Sequence, residues 1–168
     1  MKINLRKIEP TDLPYLYLWE NDASSWADGS NHNPISQQDL RAYIESTTGD
    51  IYRDGQLRLI IEGKSDTEEI GLTLGCIDLF DFDPRNRKAA IGMYIAPDAR
   101  NKGVGTEAVR ALEDYAFGLL DLRLLYAVIA TNNEPCSRLY RHLGYEPSSV
   151  LKAWTLESDA IIWQKQKK

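Results

Sequence analysis

The segment Arg100-Asn101-Lys102-Gly103-Val104-Gly105-Thr106 is the part of this chain whose residue types and spacing best suit chemistry. It follows an apolar run that stops at Pro97 and opens an amphipathic stretch. A helix start exposes unpaired N–H groups and carries a partial positive charge. Gly103 and Gly105 let the backbone curl and approach an anion, and Arg100 and Lys102 add full charge. The chemistry this predicts is a pyrophosphate cradle, although a Gly-x-Gly pair also fits a simple tight turn. A P-loop is excluded, because no Gly-Lys-Ser or Gly-Lys-Thr follows at the required spacing. The dinucleotide fingerprint fits poorly: Ala108 stands where its third glycine belongs, and residues 124–130 run on to Thr131 with no acidic residue closing the strand.

The elements that must position this segment can be read from periodicity. Residues 3–8 alternate as a half-buried strand does. Thr11 is expected to cap a short helix carrying Leu13, Leu16, Tyr17, Trp19 and Glu20, with Asp12 and Pro14 in its first turn. Residues 21–34 read as loop, and Ser36 with Asp39 resembles a capping box ahead of Leu40, Tyr43 and Ile44. Strands follow at residues 57–62, 70–80 and 89–95, separated by a turn at 63–69 and a charged connection at 81–88. This meander pairs most simply as antiparallel sheet. The stripe of Val104, Ala108, Val109, Ala111, Leu112, Tyr115, Ala116 and Leu119 predicts a helix. Residues 124–130 predict a buried central strand. Asn133 is placed to cap a second helix, with Pro135 in its first turn, Cys136, Leu139, Tyr140 and Leu143 as its stripe, and Gly144 at its end. Residues 151–156 and 160–164 are expected to form a closing hairpin, with 165–168 as a frayed tail. The sum is a single α/β domain over residues 1–168, a mixed, mostly antiparallel central sheet with helices on both faces.

Composition narrows the function. The chain has 168 residues, 43% of them hydrophobic and 27% charged, as expected of a soluble globular domain. No apolar run approaches the ~20 residues that span a bilayer, and the N-terminus reads as a strand rather than a secretory leader. A net charge of −5 argues against nucleic acid as a partner and is compatible with a cationic one. Cys76, Cys136, His32 and His142 are isolated from one another, so no metal site is expected, and the cysteines suit reduced thiols in the cytoplasm.

Taken together, three blocks resemble the GNAT superfamily of acetyl-CoA-dependent N-acetyltransferases. The first is the strand at residues 91–95 followed by Pro97. The second is Arg100, Gly103 and Gly105, matching Arg/Gln-x-x-Gly-x-Gly/Ala. The third is Asn133, Ser137, Leu139, Tyr140, Leu143, Gly144 and Tyr145. The resemblance is firm over residues 57–144 and looser elsewhere. It implies that backbone N–H groups of Lys102, Gly103, Val104, Gly105 and Thr106 hold the pyrophosphate of acetyl-CoA. The pantetheine arm is then expected between the 93–95 and 124–130 strands, pairing with exposed backbone as an added strand would. A backbone N–H of Tyr94 or Ile95 would steady the oxyanion, and Asn133 would contact the cofactor. Tyr140 would be the general acid that protonates the departing thiolate, although periodicity alone places it in an apolar stripe.

The carboxylate that many relatives carry on the strand before the glycine motif is replaced here by Ala89-Ala90-Ile91. Glu62, Asp78, Asp81 and Asp83 are the candidate substitutes, unless the amine enters neutral. The resemblance also puts Trp19, Glu20, Asp22, Trp26 and Asp28 beside the acceptor, where aromatic faces and carboxylates would suit a cationic amine. Plain core for Trp19 and a solvated loop for the acids remain equally open. The layout is most similar to the branch of polyamine and ribosomal-protein N-terminal acetyltransferases, so a small-molecule or peptide amine is the expected acceptor. A non-catalytic acyl-CoA-binding module is the alternative that the missing carboxylate leaves open, and the retained Tyr140 opposes it. An edge strand near the C-terminus could pair in a homo-oligomer, or be covered.

Overall fold

The structure, a computed structural model, describes residues 2–26, 32–64 and 71–168. Seven strands form one sheet in the order β1-β2-β3-β4-β5-β7-β6, where β1 is Lys2–Lys7, β2 Leu57–Lys64, β3 Leu72–Asp83, β4 Lys88–Ile95, β5 Leu124–Ala130, β6 Glu146–Leu151 and β7 Ala160–Gln166. Every neighbouring pair is antiparallel except β4 and β5, which run parallel. The mixed, mostly antiparallel sheet expected from the sequence is therefore what forms.

Side-chain alternation splits the core in two. Ile60 and Cys76 face one side with Leu16, Trp19, Leu40 and Ile44, which come from helices α1 (Leu13–Glu20) and α2 (Gln37–Ser46). Ile61 and Ile77 face the other, with Val104, Val109 and Leu112 of α4 (Val104–Glu113) and Tyr140 of α5 (Glu134–His142). A short helix, α3 (Ile51–Asp54), buries Ile51 on this second side. Helices thus cover both faces, each burying one apolar stripe while the period of two in the strands feeds both layers.

Several local expectations change. Thr11 does not cap α1: residues Pro10–Asp12 form a 3-10 turn, and Asp12 is buried, accepting two hydrogen bonds from Arg6 and one from the Glu9 N–H. A buried carboxylate needs such partners, and Arg6 on the preceding strand supplies the cation. Gly63 is not a turn but a strand residue paired with Leu72, and β3 runs through Asp81 as far as Asp83. The turn residues 65–69, and Ile70, lie outside the described residues. The helix from Val104 is regular only to Glu113 and then widens into a π-helical turn, Asp114–Leu119. The closing hairpin begins earlier than residue 151: β6 is Glu146–Leu151, and residues 152–159 are loop, held by Asp159 accepting from Lys152 and the Ala153 N–H. The tail is also tied down, since β7 reaches Gln166 and Lys165 bonds Glu113 and the Leu143 carbonyl. The Ser36 cap, the Asn133 cap and Gly144 at the end of α5 occur where expected.

Candidate active site

The parallel pairing of β4 with β5 covers only Lys88↔Leu124, Ala89↔Leu125 and Ala90↔Tyr126. Beyond Ala90 the two strands diverge, while β4 stays paired to β3 as far as Ile95 and β5 stays paired to β7 as far as Ala130. The result is a wedge in the middle of the sheet, with the β4 backbone from Ile91 to Ile95 along one wall. A wedge between parallel strands leaves main-chain donors and acceptors that an extended ligand can pair with.

The glycine segment closes the wide end of this wedge. After β4 the chain makes a 3-10 turn over Pro97–Ala99 and then takes left-handed backbone at Asn101 (φ 59°) and Gly103 (φ 78°). Asn tolerates this conformation and glycine adopts it freely. Left-handed residues alternating with right-handed ones turn successive N–H groups inward as an anion nest. Gly103 is the cap position of α4, and no side chain caps that helix. Gly105 serves differently: a Cβ there would stand 2.9 Å from Leu139 Cδ1 and 3.2 Å from Met93 Cε. Its bare Cα lets the first turn of α4 settle on β4 and α5, which makes cradle and wedge contiguous.

Of the cationic residues, Arg100 folds back onto β4. Its Nε donates to the Ile95 carbonyl at 2.9 Å, and its guanidinium lies 5.7 Å from the centre of the Tyr94 ring. Lys102 is exposed at the cradle. The Tyr94 side chain points to the α1 side, where its ring lies 5.7 Å from that of Trp19 and its hydroxyl donates to Asp22 Oδ2 at 2.9 Å. Desolvation, and then the bond to Asp22, push the Tyr94 phenol up to about 12. The Asp22 carboxyl is held below its usual range, first by Ser24 and then by Tyr94. Asn133 Oδ1 accepts from the Cys136 N–H, which spends that oxygen on capping α5.

Tyr140 is 2% exposed and meets the Tyr145 ring edge-on at 4.9 Å. Burial raises its pKa well above the ordinary phenol value, and the neighbouring Cys136 and Glu113 add to that, so the hydroxyl is a proton carrier at neutral pH. It belongs to the same packed cluster as Ile129 of β5 and Met93 and Ile95 of β4, the strands that diverge.

On the opposite side of the sheet the acidic candidates separate. Asp78 pairs across strands with Gly92, and its Oδ2 would be 3.7 Å from a Cβ at Gly92. Asp78 is held bidentately by Arg58, at 2.8 Å to each oxygen, and Arg58 also bonds Glu20. The Tyr43 ring covers the guanidinium at 5.9 Å. Burial works against the Arg58 charge, but the Asp78 and Glu20 carboxylates outweigh it and keep the guanidinium firmly protonated. Asp81 lies 3.5 Å from the Tyr126 hydroxyl on β5. Glu62 is ion-paired with Arg6 at the β1 side, and Asp83 accepts from Asn86 in the β3–β4 turn, so neither approaches the wedge. Trp19 is buried in the α1/α2 core, and Trp26 donates from its indole to the Glu20 carbonyl. Asp28 lies outside the described residues. Arg58 and Tyr43 were not anticipated. The available signal was Arg58 itself, a charge inside the apolar run Leu57-Arg58-Leu59-Ile60-Ile61, which must find carboxylates on adjoining elements.

Among the described residues, no group of His, Cys, Asp and Glu is arranged to hold a metal ion, and no helix is long and apolar enough to cross a membrane.

Comparison with known proteins agrees with this geometry. Residues 2–146 match the acetyltransferase (GNAT) domain family. The spermidine N(1)-acetyltransferase of Escherichia coli K12 is 28% identical over 152 residues, covering 89% of this chain and 75% of that protein. A putative ribosomal N-acetyltransferase of Bacillus subtilis, YdaF, is 37% identical over 75 residues, which is 45% of this chain and 41% of that one. The crystal structure of spermidine N-acetyltransferase from Vibrio cholerae in complex with CoA and spermine superposes with a TM-score of 0.86 at 19% identity, over 98% of this chain and 95% of that one. The chain therefore belongs to the GNAT acetyltransferase family and is an acetyl-CoA-dependent N-acetyltransferase.

Proposed function

We propose that this enzyme transfers the acetyl group of acetyl-CoA directly to a primary amine of a small polycationic acceptor, a polyamine, with Tyr140 as general acid. The observation that carries the reading is the continuous path from the uncapped start of α4 into the wedge between β4 and β5, with Asp78, Glu20 and Asp81 across the sheet from the cradle's helix. The residues fit the co-substrate: N–H groups from Lys102 to Thr106 suit a pyrophosphate, and unpaired β4 backbone suits the pantetheine amides. The Ile95 backbone N–H stabilises the thioester oxygen as it gains charge, since the Tyr94 N–H is turned towards Cys76 of β3. The Tyr140 hydroxyl gives its proton to the thiolate as the C–S bond breaks, and the acetyl carbon forms its new bond to the attacking nitrogen.

The acceptor side is supported by its charge. Glu20 and Asp78 share the cation Arg58, which leaves a net negative charge beside Gly92, and Asp81 adds to it. An ammonium is drawn to such a site, and the curated relative named above acts on spermidine. Asp78 stands across from Gly92, next to the Ala89-Ala90-Ile91 stretch that lacks the carboxylate, and is our candidate to receive the acceptor amine. The test is steady-state kinetics on two variants. Tyr140→Phe should lower kcat about a hundredfold with CoA affinity unchanged. Asp78→Asn should raise KM for the polyamine while leaving KM for acetyl-CoA within twofold. Unchanged kcat in the first variant removes Tyr140 from the reaction, and an unchanged polyamine KM in the second removes Asp78 from the acceptor site.

A further inference from the structure

Helix α5 ends in a motif that binds Tyr145 to Tyr140 twice. The Tyr145 N–H donates to the Tyr140 carbonyl at 3.0 Å and the Gly144 N–H to the Arg141 carbonyl at 3.0 Å, with Gly144 left-handed at φ 82°. This is the Schellman arrangement, in which the residue after the glycine packs on the residue five before it. Here that contact is the edge-on pair of the Tyr145 and Tyr140 rings. The far side of Tyr145 faces an unusual group for a core. Lys165 Nζ, from β7, lies 5.5 Å from the centre of the Tyr145 ring, and bonds Glu113 Oε2 of α4 at 2.7 Å and the Leu143 carbonyl at 2.8 Å. Glu113 and Tyr145 are both buried, and the Tyr145 hydroxyl faces the Glu113 carboxylate; burial, and then that carboxylate, push the phenol's pKa up.

Holding a buried carboxylate with a half-buried lysine and a phenol costs desolvation energy that apolar side chains of similar size would avoid. Such a group persists where it holds a geometry. Two separate elements, α4 through Glu113 and β7 through Lys165, converge on the aromatic ring that follows α5 and whose edge touches Tyr140.

We infer that Glu113, Lys165 and Tyr145 form a positioning assembly for Tyr140, in which the ion pair seats the Tyr145 ring and the ring sets where the Tyr140 hydroxyl meets the departing sulfur. The inference rests on the reading of Tyr140 as the proton donor. None of the three touches the reacting atoms. They act through Tyr140, because a small misplacement of a catalytic group is enough to slow the chemical step.

The test is a double-mutant cycle on kcat, using Tyr145→Phe and Glu113→Gln, each alone and each combined with Tyr140→Phe. Folding is checked by thermal melting and CoA affinity by calorimetry. Tyr145→Phe and Glu113→Gln should each lower kcat about five- to tenfold, with KM for acetyl-CoA unchanged, and should have no further effect once Tyr140 is Phe. An equal loss in both backgrounds would mean a general structural role and overturn the inference, as would no loss in the first. If Tyr140→Phe alone leaves kcat intact, the general-acid reading fails and this assembly falls with it, a result visible in the single variant before any cycle is closed.

Discussion

Replacing Gly103 by alanine isolates backbone conformation from packing. At φ 78° an L-residue pays about 1–2 kcal/mol, and nothing lies within 4 Å of the added Cβ, so strain is the only new cost. Gly55, the left-handed residue that ends α3, has φ 72° and equally open surroundings, which makes Gly55→Ala a matched control. The cradle stands at the open end of the wedge, so in the free enzyme the variant loop can relax out of the left-handed region and escape the strain. Binding then demands the original backbone, and the cost reappears as lost affinity, about five- to thirtyfold for CoA, since each 1.4 kcal/mol is about tenfold. Gly55 closes a helix against the core, cannot relax without unfolding that turn, and should lose its 1–2 kcal/mol as stability, about 2–8 °C in Tm. Calorimetric titration with CoA and thermal melts of both variants measure the two quantities. A folded Gly103→Ala enzyme that binds CoA as tightly as wild type would refute the cradle.

Two further outcomes follow from the same geometry. Arg58→Met leaves Glu20 and Asp78 without their shared cation and should cost about 3 kcal/mol, or roughly 6–12 °C in Tm, with neutralisation of both carboxylates in the same chain restoring most of it; an unchanged Tm would show that the triad is already well solvated. Tyr94 holds its proton up to about 12 against about 10 in an unfolded chain, so its contribution to stability is complete below pH 10 and is lost as pH rises from there towards 12. Tyr94→Phe should therefore lose less stability than wild type across that window in denaturant melts, and parallel curves would contradict the raised Tyr94 pKa that burial and, second, the bond to Asp22 produce.

The site was legible where chemistry is local. A left-handed glycine at a helix start, a polar cap and a glycine stop each leave a mark within a few residues, which is why Gly103, Asn133 and Gly144 could be placed from spacing alone. Long-range pairing leaves no such mark. Arg58 meets Glu20 across 38 residues and Asp78 across 20, and only the sheet register brings them together. The final hairpin misled for a related reason: β6 is exposed along most of its length, so it lacks the apolar alternation that announces a strand, while the apolar residues just after it lie in a loop. Lys165 looked like tail because lysine is usually solvated, and its burial depends on Glu113, 52 residues away. Thr11 was the better cap by type, but the buried Asp12–Arg6 pair claimed the turn first.

The most direct test of the account is thiol release from acetyl-CoA with a panel of acceptors: spermidine, spermine, short diamines, free amino acids, peptides with free N-termini and an aminoglycoside, with acetylated product identified by mass spectrometry. The account predicts saturable turnover with spermidine or spermine, one acetylated amine per thiol released, and weak or no turnover with amino acids and peptides. Turnover confined to peptide N-termini, or CoA binding with no amine acetylated, would contradict it.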